Sequence, residues 1–151
     1  MLDIGAGDGA LTRHLVRAQA RVIAVELHPG RAGTLRQRFP GVTVVRADAA
    51  TLRLPRQPFR VVANPPFGIT AELLRLLLAP GSRLFAADLV LQRAVVRQYT
   101  GGLVRGAGRW LRTFEATNGM TLPRRAFAPP PRVDSSVLVL RRRGGPRNPM
   151  R

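Results

Sequence analysis

Asn64-Pro65-Pro66-Phe67 closes a short apolar run, Arg60-Val61-Val62-Ala63, and precedes a helical pattern beginning near Ile69. The Asn64 amide oxygen and a backbone carbonyl such as that of Pro65 can each accept a hydrogen bond from a planar amino group. The two prolines stiffen the turn, because each fixes φ and lacks an N–H. The Phe67 ring offers a face on which a nucleobase can stack. Together these residues suit a site that holds a planar exocyclic amine.

Three acids upstream fall at places where a nucleotide-like ligand is gripped. Asp3 opens Asp3-Ile4-Gly5-Ala6-Gly7-Asp8-Gly9, which reads as a strand end, a Gly-rich turn and a helix start. Glycines at alternate positions allow a tight turn and close approach of a ligand. Glu26 ends the next apolar run, Val22-Ile23-Ala24-Val25, and is followed by Leu27. An acid about twenty residues past a Gly-rich turn reaches ribose hydroxyls in nucleotide-binding βαβ units. An ordinary tight loop with a surface acid accounts equally well for these two features alone. Asp48, followed by Ala49, ends a third strand-like run, Val42–Ala47. It can accept from an adenine amino group, or cap a helix over Ala49-Ala50-Thr51-Leu52, or do both. All four positions lie at strand carboxyl ends, the edge where open α/β sheets bind ligands.

The elements that must position these residues alternate. Strands are expected at Leu2–Ile4, Arg21–Glu26, Val42–Ala47, Arg60–Ala63 and Arg83–Leu91, with helices near Ala10–Ala18, Pro29–Arg38, Ile69–Leu78 and Gln92–Gln98. Leu73, Leu74, Leu77 and Leu78 carry the stripe of a buried helix. The alternation implies an α/β fold, a mainly parallel sheet with helices on both faces. Arg112–Leu122 and Val133–Arg141 read as two strands joined by a Pro-rich connection, an antiparallel hairpin at the sheet edge. Gly101-Gly102 and Gly106-Ala107-Gly108 read as a flexible basic loop. The domain is expected over residues 1–143, with 144–151 a basic, disordered tail.

The four motifs in this order resemble those of a class I S-adenosylmethionine-dependent methyltransferase of Rossmann-like fold, and an Asn-Pro-Pro-Phe tetrad points to amino-group methylation. DNA adenine, protein glutamine and rRNA adenine-N6 methyltransferases share such a tetrad. Arg124–Leu138 and Leu89–Val95 resemble the rRNA group, in particular the erythromycin-resistance-type 23S rRNA methyltransferases of the short mycobacterial kind. The resemblance covers nearly the whole chain apart from a diverged stretch around Thr100–Arg112. It implies methyl transfer from S-adenosyl-L-methionine to adenine N6 in 23S rRNA, with macrolide-lincosamide-streptogramin resistance as the outcome. It assigns catalysis to Asn64, Pro65 and Phe67. It assigns the cofactor to Gly5, Ala6 and Gly7, to Glu26 and Leu27, to Asp48 and Ala49, and to Asn64. Asp3 is expected to order the turn or meet the methionine amino group. DNA or protein methylation, and a decayed RNA-binding relative, are the competing readings. The resembled enzymes also have a helix and a Gln-Asn-Phe-Leu-like segment ahead of the first strand, so coding sequence upstream of Met1 is expected. Most relatives continue into a small C-terminal helical domain, which the short mycobacterial kind lacks.

Composition agrees with an RNA partner independently of the motifs. The chain of 151 residues carries 25 basic side chains, all Arg, against 8 acidic ones, a formal charge of +17. Such an excess favours a polyanion, and the arginine fork can grip phosphate with two hydrogen bonds. No run reaches the roughly 18 apolar residues of a membrane span. There is no cysteine, and His14 and His28 have no metal-ligand spacing. A monomeric, cytoplasmic protein without metal is the expectation.

Overall fold

The computed structural model describes residues 1–145. The chain runs β1 (Leu2–Ile4), α1 (Ala10–Arg17), β2 (Ile23–Glu26), α2 (Pro29–Arg38), β3 (Thr43–Arg46), β4 (Phe59–Ala63), α3 (Thr70–Leu77), β5 (Leu84–Gln92), α4 (Arg93–Thr100), α5 (Ala107–Trp110), β6 (Phe114–Leu122) and β7 (Ser135–Arg142). The seven strands form one sheet in the order β3-β2-β1-β4-β5-β7-β6. The first five in chain order are parallel, while β7 runs antiparallel to both β5 and β6. A three-residue β1 suffices because it lies between β2 and β4 and all three of its side chains are buried.

Two apolar clusters lie against this sheet. The larger gathers Leu73, Leu74 and Leu77 of α3, Val96 of α4 and Trp110 of α5 against Val61, Leu89, Leu138 and Leu140. The smaller packs Leu35 of α2 with Ala6 and Ala24. Right-handed crossovers require the β1–β2–β3 connections and the β4–β5 connection to cover opposite faces, which is what two separate clusters reflect.

An ion-pair network stitches the parallel part to the antiparallel edge. Asp88 on β5 receives Arg60 of β4 at 2.7 Å and Arg141 of β7 at 2.8 Å, one on each carboxylate oxygen. Arg142 donates to the Leu84 and Ser82 carbonyls at 2.7 and 2.6 Å, and its guanidinium lies 4.7 Å from the centre of the Phe114 ring.

Two sequence expectations need correction, and a third falls mostly outside the described residues. No helix follows Asp48: its Oδ1 accepts from Ala50 N–H at 2.9 Å inside a turn, so the capping geometry forms without a helix to cap. The stretch read as a flexible loop contains α5, with Ala107 and Trp110 buried and the Trp110 ring centroid 5.7 Å from that of Tyr99. In the expected tail, Gly145 N–H donates to the Arg142 carbonyl at 3.2 Å, and 146–151 lie outside the described residues.

Removing Asp88 leaves two guanidiniums facing each other at a partly buried site. Asp88→Asn is expected to cost about 1–3 kcal/mol, less than for a fully buried pair because the groups keep some solvent. Urea unfolding reads this directly, and an unchanged midpoint would show the network to be energetically idle.

Candidate functional site

The turn after β1 is built by hydrogen bonds that only a glycine-rich backbone can make. Gly5 and Ala6 N–H both donate to the Val25 carbonyl, at 2.9 and 3.0 Å. Gly5, Gly7 and Gly9 have φ of +74°, +56° and +83°, a region costly for any side chain. At Gly9 a Cβ would also meet the Phe39 ring at 2.6 Å.

Glu26, at the end of β2, is buried and holds this turn in place. Its Oε2 accepts from Gly7 N–H and its Oε1 from His28 N–H, each at 2.8 Å. Each carboxylate oxygen accepts more than one hydrogen bond, so acceptor capacity toward ligand hydroxyls is left over. Asp3 is fully buried; Oδ2 accepts from the Thr12 hydroxyl at 2.6 Å, and Oδ1 has no partner among the described residues. Burial pushes the Asp3 carboxyl above the ordinary carboxylate range, opposed by the hydrogen bonds from Thr12.

The neighbouring strand ends supply the rest of this wall. Leu27 is 59% exposed, an apolar side chain presented to solvent at the cleft, and Ala49 is buried beside exposed Asp48. On the other side β4 stops at Ala63, and the tetrad turns outward. Asn64 is exposed, Pro65 buried, Pro66 exposed and Phe67 half-buried. Ile69 N–H returns to the Pro66 carbonyl at 3.2 Å, closing a single 3-10 turn before α3. The Asn64 amide makes no hydrogen bond within the described residues and faces the cleft.

These groups line one cleft of about 780 Å³: Asp3, Gly5, Ala6, Gly7, Glu26, Leu27, Asp48, Ala49, Asn64, Pro65 and Phe67 all contribute to it. Every residue singled out from the sequence for a cofactor or catalytic role is therefore brought to the same place. The turns after β1 and β4 abut there, and a Cβ on Gly5 would lie 3.2 Å from Pro66 Cδ.

The sequence reading missed the roof. Phe127, Pro129 and Pro131, from the connection between β6 and β7, also line the cleft. The only hint was an aromatic residue inside a Pro-rich stretch. Arg31 also lines the cleft and forms an exposed pair with Asp8 at 3.7 Å. Among the described residues no three His, Cys, Asp or Glu side chains gather as a metal site, and no helix is long and apolar enough to cross a membrane.

The sheet order with its antiparallel edge, and a cleft at the carboxyl ends of the parallel strands, define a Rossmann-like methyltransferase fold. Comparison with solved structures agrees: the 23S rRNA methyltransferase ErmE superposes with a TM-score of 0.85 at 34% identity, over 96% of this chain and 62% of that one. The family model for ribosomal RNA adenine dimethylase matches residues 1–150, and the chain belongs to that family. It is 39% identical to the mycinamicin-resistance protein MyrB of Micromonospora griseorubida over 153 residues, covering 97% of this chain and 48% of that protein. It is 40% identical to an rRNA methyltransferase of Streptomyces thermotolerans, covering 97% of this chain and 50% of that protein. The chain thus spans about half the length of these curated relatives.

Asp3 makes stability fall as pH rises. Its folded pKa lies above the unfolded value of 3.8, so between those two values the folded state binds more protons. Stability conferred by the protonated form is complete below 3.8 and is lost as pH climbs through the folded value. Asp3→Asn keeps the hydrogen bond from Thr12 and should remove this slope. Urea midpoints measured from pH 4 to 7 should therefore converge on the wild type at the acid end and exceed it at neutral pH; parallel profiles would refute the assignment.

Proposed function

We propose that this chain carries the catalytic domain of an rRNA adenine-N6 methyltransferase. It takes a methyl group from S-adenosyl-L-methionine to N6 of an adenine in 23S rRNA, and so confers macrolide-lincosamide-streptogramin resistance. The domain occupies residues 1–143 with a basic tail beyond, acts as a monomer in the cytoplasm, and uses no metal. The observation that carries the reading is the unpartnered Asn64 amide in a cleft whose opposite wall is a glycine turn with two anchored carboxylates. The names of MyrB and of the Streptomyces thermotolerans methyltransferase point the same way.

The donor wall fits S-adenosyl-L-methionine on its own chemistry. Gly5, Ala6 and Gly7 leave room for close backbone approach, Glu26 keeps acceptor sites for ribose hydroxyls, and Leu27 offers an apolar edge to adenine. Asp48 accepts from the adenine amino group, with the backbone of Ala49 beside it. The free Oδ1 of Asp3 is an acceptor for the methionine ammonium. When bound, this group supplies an electrophilic methyl.

The acceptor wall handles the target base. An adenine must leave its stack, which costs a few kcal/mol in a duplex and less in a loop. Phe67 and Phe127, both lining the cleft, offer ring faces that offset this loss. The Asn64 oxygen and the Pro65 carbonyl accept the two N6 hydrogens, which concentrates lone-pair density on nitrogen and fixes its direction. No protein base is needed ahead of transfer, since the nitrogen sheds its proton only once it has become cationic.

Asn64→Ala should lower methyl transfer to an rRNA fragment by on the order of 10²-fold, the usual cost of losing a preorganised hydrogen-bond partner. Its S-adenosyl-L-methionine affinity by calorimetry should stay within about threefold of wild type. An equal fall in both would make Asn64 a pocket residue. Labelled DNA and a glutamine-bearing protein substrate run in parallel separate the competing acceptors. In the same assay Phe67→Tyr should retain transfer and Phe67→Ala should lose roughly tenfold or more; an alanine variant of full activity excludes stacking on Phe67.

A further inference from the structure

We propose that Arg105, Arg109 and Arg112 form a second contact surface for the RNA backbone, at the end of the domain opposite the cleft. The proposal rests on the reading of the substrate as RNA. The end of α3, the start of β5 at Leu84, the start of β6 at Phe114 and the end of β7 at Arg142 all meet there. Between them lie two adjoining pockets of about 330 and 260 Å³, which share Pro80, Arg109 and Trp110. Arg105 lines the first and Arg112 the second.

The charge of this surface is unbalanced. No carboxylate lines either pocket. The side chains of Arg105, Arg109 and Arg112 are exposed and make no ion pair or hydrogen bond within the described residues. Arg142 beside them is different: its guanidinium is spent on two carbonyls and the Phe114 ring. Glu72, the acid on α3, is taken by Arg75 at 3.3 Å. No carboxylate among the described residues balances these three exposed cations at the pockets, which favours a polyanion as their partner. The guanidinium fork matches phosphate oxygens, and the tilted Tyr99–Trp110 pair gives the pockets an apolar floor against which sugar edges can lie.

The geometry allows one RNA to reach both sites. Phe59 pairs with Leu84 at this end and Ala63 with Leu89 near the cleft, so the two ends are about 15 Å apart along the strands. That is well within the roughly 16 base pairs that a small RNA-binding domain spans. A folded RNA that presents a loop adenine to the cleft has backbone to spare for this surface.

The test is fluorescence anisotropy of a labelled 23S rRNA hairpin with the full chain, across about 50–200 mM salt. R105A/R109A/R112A should raise the RNA Kd about tenfold or more at the low-salt end and reduce the salt slope by roughly two, as loss of three phosphate contacts predicts. Its melting temperature and its affinity for S-adenosyl-L-methionine should stay at wild-type values. R105K/R109K/R112K should keep most of the slope. An alanine variant with wild-type RNA affinity and slope overturns the proposal. So does one that loses affinity only for a polyglutamate peptide, which would assign the surface to an acidic protein. If neither wild type nor variant methylates RNA but their RNA affinities still differ, the reading of the cleft fails and this surface stands.

Discussion

The cleft depends on one steric condition, the contact between the glycine turn after β1 and the proline turn after β4. A Cβ on Gly5 would sit 3.2 Å from Pro66 Cδ and 3.5 Å from Pro65 Cα, and Gly5 has φ of +74°. Methyl transfer requires the reacting atoms to come within about 3–3.5 Å. In the proposed reaction, abutting turns would bring a donor held by the first close to an amine held by the second. The sheet order makes this happen, because β1 and β4 are neighbours although far apart in the chain. They are also the strands at which the crossovers change face, where an open α/β sheet leaves a crevice.

The carboxylates of the donor wall are structural before they are functional. Glu26 holds two backbone N–H groups, one in the glycine turn and one at the start of α2, and Asp3 ties β1 to α1 through Thr12. The wall is thereby preorganised, with little left to order on binding. Asp3 bears the cost. One of its oxygens is buried without a partner, and burial disfavours its charge. A cationic group at that oxygen would relieve both penalties at once, so the same residue that weakens the empty fold strengthens the occupied one.

Much of this was legible in the chain because the motifs are local. Asp3 to Gly9, Glu26, Asp48 and Asn64 to Phe67 each sit within a strand end and its following turn, and the order of strands then fixes their convergence. The hydrophobic stripe of α3 was equally local. What escaped was set by distant contacts. Trp110 of α5 is buried beside Tyr99, in a local sequence rich in glycine. Phe127 reaches the cleft only because β7 returns antiparallel between β5 and β6. Asp88, with a guanidinium from each flanking strand, reads in sequence as one polar residue in an apolar run.

That last network links the antiparallel edge to the chemistry. Phe67 follows β4, while Phe127 hangs from the connection between β6 and β7, so the two aromatic walls of the acceptor side belong to different parts of the sheet. Their separation is held by β4, β5 and β7, the three strands that Asp88 joins to one another. The arginines of the sheet differ from those of the surface. Arg60, Arg141 and Arg142 are consumed inside the protein, where they fix strand against strand. Arg105, Arg109 and Arg112 make no such contact among the described residues, like Arg13, Arg53, Arg97 and other exposed arginines elsewhere on the surface. The net charge of +17 is therefore a poor guide to where a polyanion binds.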